Sequence, residues 1–404
     1  MDCSIVFSHR EESEEKAEMK TKWKTTFLRS VIQYISKGIA PSYTEIESDT
    51  TVRVLNQKCN RNFVIRYNES RLHDIAKKKV PAERYVQEND IIINSTGTGT
   101  AGRIAQMQKP PCRTTVDSHM IILRGNSEIN QRYLGYALRA KQNYILQLDE
   151  GTTGQTELNR ERLLDEIEIT YPTSLKIQEA IASTLSVLDD KIELNRKINE
   201  NLEQQAQAIF KNSFLIEIFP KDWTITTLGE VSEIIAGGDK PNIVAAIRSK
   251  SCPYPVYSNG ISNEGLYGFT DGYRITEESV TVSARGTIGY VCLRHTPYTP
   301  IVRLVTLVPH TDVVSAKFLY LWLKNIQIQG TGTTQQQLTV PNFKKTKIVL
   351  PPKGNMLIFT EMIKPLFETI WANQAENAHL AYLRDTLLPR LMSGELDVPH
   401  LEGA

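Results

Sequence analysis

WKTTFLRSVIQYISKGIAP, residues 23–41, is followed two hundred residues later by WTITTLGEVSEIIAGGDKP, residues 223–241. Trp23 and Trp223, Leu28 and Leu228, Val31 and Val231, Ile35 and Ile235, Gly38 and Gly238, and Pro41 and Pro241 coincide. A repeat of this period means one folded unit written twice. The match continues: IIIN and then GTAGRI (91–94, 99–104) stand against VTVS and GTIGYV (280–283, 286–291). RYLGYALR (132–139) stands against KFLYLWLK (317–324), and EGTTGQTEL (150–158) against GTGTTQQQL (330–338). The separation falls from 200 to 187, 185 and 180, so the second copy is shorter and the residues it lacks lie between shared elements. One fold with different loops behaves in this way.

The loop IIINSTGTGTAG (91–102) resembles a dinucleotide-binding turn in its glycine spacing. That pattern is specific only when a helix opens on its last glycine and an acidic residue follows about 20 residues on. Here RIAQMQKPPCRTT follows, and Pro110 and Pro111 forbid the helix whose N-terminus would hold phosphate. At the separation of 187, Gly97 faces Ala284, while Gly99 and Gly102 face Gly286 and Gly289. Two retained glycines among Ser and Thr predict a tight turn with positive φ or a close backbone approach.

A chain of 404 residues, 40% apolar and 23% charged, has the length for two or three domains and the composition of a globular protein. No apolar run approaches the ~20 residues of a membrane span, and MDCSIVFSHREESEEKAEMK lacks the pattern of a secretory signal, so a cytoplasmic protein is expected. Five scattered cysteines and seven histidines form no CxxC or HxxxH, which speaks against a disulfide framework or a structural zinc site. The net charge is +1, but residues 53–84 carry Arg53, Lys58, Arg61, Arg66, Arg71, Lys77, Lys78, Lys79 and Arg84 against Glu69, Asp74 and Glu83. Such a stretch is more often a solvated face than a binding site, but in a near-neutral chain it is a candidate for phosphate contacts.

Each copy closes with an amphipathic helix. The first alternates by fours and threes through Ile181, Leu185, Leu188, Ile192, Asn195, Asn199, Leu202, Ala206 and Ile209. The second runs Phe359, Ile363, Leu366, Ile370, Asn373, Asn377, Leu380, Arg384 and Leu387, at a constant separation of 178. An apolar seam broken by asparagine is the mark of a coiled coil that fixes its register. Two equivalent halves meet most simply about a pseudo-twofold axis, which makes the helices antiparallel. That register sets Asn195 beside Asn377 and Asn199 beside Asn373. It also pairs Ile181 with Leu391, Leu185 with Leu387, Ile192 with Leu380, Leu202 with Ile370, Ala206 with Leu366 and Ile209 with Ile363. Leu188 against Arg384 alone fits poorly. A seam over residues 181–209 spans about 43 Å at ~1.5 Å per residue, comparable with the ~34 Å turn of B-DNA.

With these features in place, the chain resembles a specificity subunit of a type I restriction-modification system over about residues 22–398. The residues that carry the resemblance are SARGTIGY (283–290), PVYSNG with GLYGFTD (255–271), TTQQQL with KIVLPP (333–352) and LRDTLLPRLMSGELDV (383–398). The resemblance implies two α/β target-recognition domains in a pseudo-twofold repeat, separated by two long antiparallel coiled-coil helices. Residues 1–22 would be a charged arm, 23–172 the first recognition domain and 173–215 the first spacer helix. Residues 223–352 would be the second domain and 353–398 the second helix. Strands are expected at Ile91–Asn94, Met120–Leu123, Val280–Ser283 and Val302–Val308.

The resemblance further implies double-stranded DNA as ligand and two methyltransferase (modification) subunits as partners, which would use S-adenosylmethionine to methylate adenine. Restriction subunits using ATP and Mg are implied beside them. The chain itself shows no adenine-methyltransferase tetrapeptide, no methyl-donor glycine loop, no Walker A lysine and no recognisable acid–base or metal constellation. A binding subunit without cofactor or catalysis is expected.

Readout needs side chains on loops that reach base edges and cations that seat the domain on phosphates. The candidates in the first domain are Ser95, Thr96, Thr98, Thr100, Arg103, Thr152, Thr153 and Gln155, with Lys77, Lys78 and Lys79 on phosphate. In the second they are Ser283, Arg285, Thr287, Thr333, Thr334 and Gln335, with Tyr257, Ser258 and Asn259 nearby. Ser and Thr beside glycine are usually turn formers, and the two glutamines could equally cap their own loops. The aromatic runs Tyr133–Tyr136 and Phe318–Trp322 have helical spacing and fit a core better than base-stacking platforms. A rival reading is a coiled-coil scaffold joining two protein-binding modules, with no salt-dependent affinity for DNA.

Overall fold

The computed structural model describes residues 22–150, 156–215, 219–328 and 337–398. The chain divides into two compact units, Met1–Glu193 with Asn377–Ala404, and Leu194–Glu376. In the first, a four-stranded antiparallel sheet runs in the order Ile32–Lys37, Met120–Gly125, Ile91–Asn94, Ile104–Gln106. Ile91, Ile92 and Ile93 are fully buried, which is why a continuous β-branched run takes the inner position. A second sheet sets Thr114–Val116 parallel to Thr51–Leu55, followed by Arg71–Asp74 and Tyr43–Thr44. Trp23–Phe27 pairs with Glu168–Pro172.

The second unit repeats the plan. Its four-stranded sheet has the order Ser232–Ala236, Leu304–Pro309, Ser279–Ser283, Val291–Arg294. Tyr254–Tyr257 lies parallel to Thr299–Pro300 and antiparallel to Leu266–Thr270. Thr224–Thr227 pairs with Lys347–Leu350. The strand expected from Val302 begins two residues later, because Val302 and Arg303 form a turn in which Arg303 takes φ +71°.

The helices Gln131–Ala140 and Ala316–Asn325 are held at their starts by side-chain caps. The Asn130 carbonyl accepts from the amides of Arg132 and Tyr133, and the Ser315 hydroxyl from that of Phe318. Both aromatic runs lie in the cores, with Tyr133 and Phe318 fully buried and Tyr136 and Trp322 nearly so. None is a stacking platform.

A β-bulge corrects the repeat by one residue. Between Tyr34 paired with Arg124 and Ile32 paired with Gly125, Gln33 is the extra residue. Gly38 therefore corresponds to Gly237, not to Gly238: Gly38 N donates to Met120 O at 3.0 Å and Gly237 N to Leu304 O at 2.7 Å. A Cβ on Gly38 would stand 2.0 Å from the Val116 carbonyl oxygen, and one on Gly237 2.2 Å from that of Ile301. Both positions need glycine because another backbone crosses there.

The two long helices are Leu175–Phe214 and Lys353–Ser393. Within each unit they run antiparallel. In the first unit Ile181 and Leu185 share a core with Leu387 and Leu391. In the second, Leu202, Ala206 and Ile209 share one with Ile363, Leu366 and Ile370. Asn373 Nδ2 donates to Asn199 Oδ1 at 2.8 Å, as the seam predicts, while Asn195 Nδ2 donates to Glu376 Oε2 at 2.6 Å. The poor fit at Arg384 resolves one residue along. Arg384 reaches Asp189 at 2.7 Å, and the same carboxylate accepts from Arg139 at 2.8 Å and the Tyr136 hydroxyl at 2.9 Å. In the second unit Glu203 accepts from Lys324 and, at 2.5 Å, from Tyr320. Burial acts to raise the Glu203 carboxyl, but Lys324 and Tyr320 hold it below the ordinary 4.5.

Candidate nucleic-acid interface

The glycine loops are hairpin connections between inner and edge strands. In the first unit Gly102 N donates to Asn94 O at 2.8 Å and Asn94 N to Arg103 O at 2.9 Å. In the second, Gly289 N donates to Ser283 O and Ser283 N to Tyr290 O, both at 3.0 Å. Asn94 thus corresponds to Ser283 and Gly102 to Gly289, so the first loop is two residues longer and Ala284 faces Ser95 instead of Gly97. Gly99, Gly102, Gly286 and Gly289 all have positive φ. A Cβ on Gly102 would lie 2.8 Å from the Ile145 carbonyl oxygen, so left-handed backbone and close packing explain the glycines. The chain then enters the strand Ile104–Gln106, leaving no helix to cradle phosphate.

Each loop is held by a side-chain amide at one position. Asp117 N donates to Leu55 O and Ile301 N to Tyr257 O, both at 2.9 Å, which makes Leu55 the counterpart of Tyr257 and Gln57 that of Asn259. Gln57 Nε2 donates to Thr96 O at 2.6 Å and also to Thr96 Oγ1. Asn259 Nδ2 donates to Arg285 O, and its Oδ1 accepts from the amides of Ala284 at 2.7 Å and Arg285 at 3.1 Å. Thr96 and Arg285 therefore occupy the same place on two matching scaffolds.

A tight turn abuts each loop on its other side. Met120 N closes the turn from Asp117 at 3.1 Å, and Leu304 N closes the turn from Ile301 at 3.2 Å. The third residue of each turn is bonded to the loop: His119 O accepts from Ser95 N at 2.7 Å, and Arg303 O from Ala284 N at 3.1 Å. The Asp117 side chain steadies its own turn by accepting from His119 N at 2.9 Å. Burial pushes that carboxyl up from the ordinary range, and the His119 amide partly offsets the effect.

Around these scaffolds the sequence candidates divide. Thr98 and Thr287 are exposed on the loops, and Thr96, Thr100, Arg103 and Arg285 are half-buried there. Arg103 Nη2 returns to Gly99 O at 3.3 Å. Ser95 and Ser283 are buried, so a duplex could touch them only if the loops opened, which removes both from direct contact in this conformation. Asn259 is taken up by the loop backbone and Ser258 by Gly265, whose carbonyl accepts the Ser258 amide at 2.8 Å. Tyr257 lies under the Arg294 guanidinium, 3.6 Å from ring centre to Cζ, and burial pushes its hydroxyl up.

All three are half-buried. Lys77, Lys78 and Lys79 are exposed, Lys77 is within 3.9 Å of Asp74, and Lys78 Nζ donates to Ala40 O at 2.8 Å. Among the described residues no hydrogen bond or ion pair joins this run to the glycine loop. Thr152, Thr153, Gln155, Thr333, Thr334 and Gln335 lie outside the described residues, as does most of the N-terminal arm. Gln57, His119 and Arg303 went unnoticed in the sequence, because each lies outside the repeated motifs. Among the described residues no group of His, Cys, Asp or Glu is placed to hold a metal ion, and no helix is long and apolar enough to cross a membrane.

The family described as the type I restriction modification DNA specificity domain matches this chain twice, over residues 20–204 and 220–381. The chain therefore belongs to the type I restriction-modification specificity family. A chain of Mycoplasma pneumoniae assigned as a type I specificity subunit is 30% identical, over 60% of this chain and 74% of its own length. The MjaIX specificity subunit of Methanocaldococcus jannaschii is 29% identical over 67% of this chain and 70% of its own. The HindI specificity subunit of Haemophilus influenzae is 22% identical over 93% and 99%. In fold, the chain is similar to the crystal structure of a type I restriction-modification S subunit from M. genitalium, with TM-score 0.54, 18% identity and coverage of 93% and 97%.

Proposed function

We propose that each unit reads one short element of a bipartite double-stranded DNA target, and that the chain supplies sequence choice to a complex whose chemistry lies in other subunits. The observation that carries this reading is the duplicated scaffold of loop, amide clamp and turn, bearing Thr96 in one unit and Arg285 in the other. Equal frames with unequal side chains suit two different short sequences. Thr96, Thr98, Thr100 and Arg103 would face one element, and Arg285 and Thr287 the other. The six candidates outside the described residues stay in the proposal because their chain neighbours stand beside the loops. Leu158 N donates to Ser95 O at 2.7 Å and Leu338 N to Ala284 O at 2.9 Å.

The paired helices would set the gap between the two elements and dock two methyltransferase subunits, with S-adenosylmethionine bound there and ATP and Mg bound by restriction subunits. This chain would work in the cytoplasm without a cofactor of its own. Arg285→Ala is the direct test, read by competition binding of the assembled complex to targets with either element scrambled. A loss of about 1 to 3 kcal/mol confined to one element is expected if the arginine reads a base in bidentate fashion. An equal loss on every duplex would assign Arg285 to phosphate, and no loss would remove it from the interface.

A further inference from the structure

Two residues outside every repeated motif stand in the same place in the two units. His119 and Arg303 are each the third residue of the turn beside the glycine loop, each is exposed, and each is tied to that loop through its own carbonyl. A side chain leaving such a residue starts from a backbone fixed to the proposed reading loop by a hydrogen bond.

Arg303 holds φ +71°. The third position of a turn with positive φ belongs to glycine or asparagine, and a strained residue that persists there suggests a use for its side chain. Among the described residues no acceptor takes a hydrogen bond or ion pair from its guanidinium, so no such bond there offsets the strain.

His119 is prepared in another way. Gln57 Nε2 donates to Thr96 Oγ1, and His119 Nδ1 is hydrogen-bonded to the same oxygen at 2.9 Å. That bond orients the ring and engages Nδ1, so Nε2 is the ring nitrogen turned to an incoming base.

We propose that His119 and Arg303 are the matched base-reading residues of the two units, each meeting the major-groove edge of a base. Arg303 has the fork that fits the two major-groove acceptors of guanine, and His119 offers one ring nitrogen, Nε2, for a single hydrogen bond to a base. The proposal rests on the DNA-reading function above and adds the residues that choose the base.

Arg303→Gly and His119→Ala test it in complexes with the modification subunit from the same locus. Glycine accepts positive φ without strain, so Arg303→Gly should unfold at a higher temperature than the wild type while lacking the guanidinium. The variant complexes are compared by the methylated motif they produce and by their affinity for targets with one element altered. Expected for Arg303→Gly is a relaxed base preference in one element, with affinity there lower by about tenfold or more, and the other element unchanged. His119→Ala should do the same to the other element. An unchanged motif and affinity in both variants overturns the pair, and so does an equal loss on all DNA. A wild-type complex that methylates no motif overturns the DNA-reading function itself and the pair with it.

Discussion

Gly237 and Gly238 differ in what surrounds them, and that difference decides which one the fold requires. A Cβ at 237 would meet the carbonyl oxygen of Ile301 at 2.2 Å, which is backbone and cannot step aside. At 238 it would meet the end of the Arg274 side chain, which can. Gly237→Ala should therefore cost about 2 kcal/mol or more in chemical denaturation, and Gly238→Ala about 0.5 kcal/mol or less. Equal costs would contradict the bulge at Gln33 as the reason for the shifted register. The sequence alignment chose Gly238 because a one-residue bulge has no compositional signal. For a similar reason Gln57 was invisible as the partner of Asn259: the two residues differ in type and sit on loops of different length. Arg303 was hidden because arginine is not a residue that announces a left-handed turn.

At the scale of elements, more was legible. Runs such as IIIN are β-branched and enclosed on both faces, so their periodicity and their burial agree. The four-three seam marked the two helices, which run beyond it over Leu175–Phe214 and Lys353–Ser393, and the twofold axis expected of two equivalent halves gave their antiparallel course. What the seam could not state was the polar company of its side chains. Leu188 was set against Arg384, yet that arginine turns to Asp189, where Arg139 and Tyr136 also converge. Asn195 similarly finds Glu376. The register itself is open to a covalent test: a chain with Ile192→Cys and Leu380→Cys should cross-link within the monomer under mild oxidation. Cross-linking of Ile192→Cys with Ile370→Cys in its place would indicate parallel helices.

For the whole molecule, the repeat is the feature from which the rest is read. It was legible because apolar anchors such as Leu28 and Leu228 are retained at fixed spacing while the loops between them diverge. The candidate site was legible only in outline: the glycine loops were found, but Ser95 and Ser283 proved to be buried and the amide clamps and turns lay elsewhere in the sequence. Contacts between segments some tens of residues apart in the chain, such as Gln57 with Thr96, His119 with Ser95 and Leu158 with Ser95, decide which side chains reach the surface, and no local pattern encodes them. The central claim, two readers of one bipartite target on one chain, is tested most directly by co-expressing the chain with the methyltransferase subunit from its own locus. Adenine methylation is then mapped on random DNA by single-molecule sequencing. The account predicts methylation of a motif with two short elements and a fixed gap. A stable complex that methylates without such a motif, or a chain that binds no methyltransferase subunit, would contradict it.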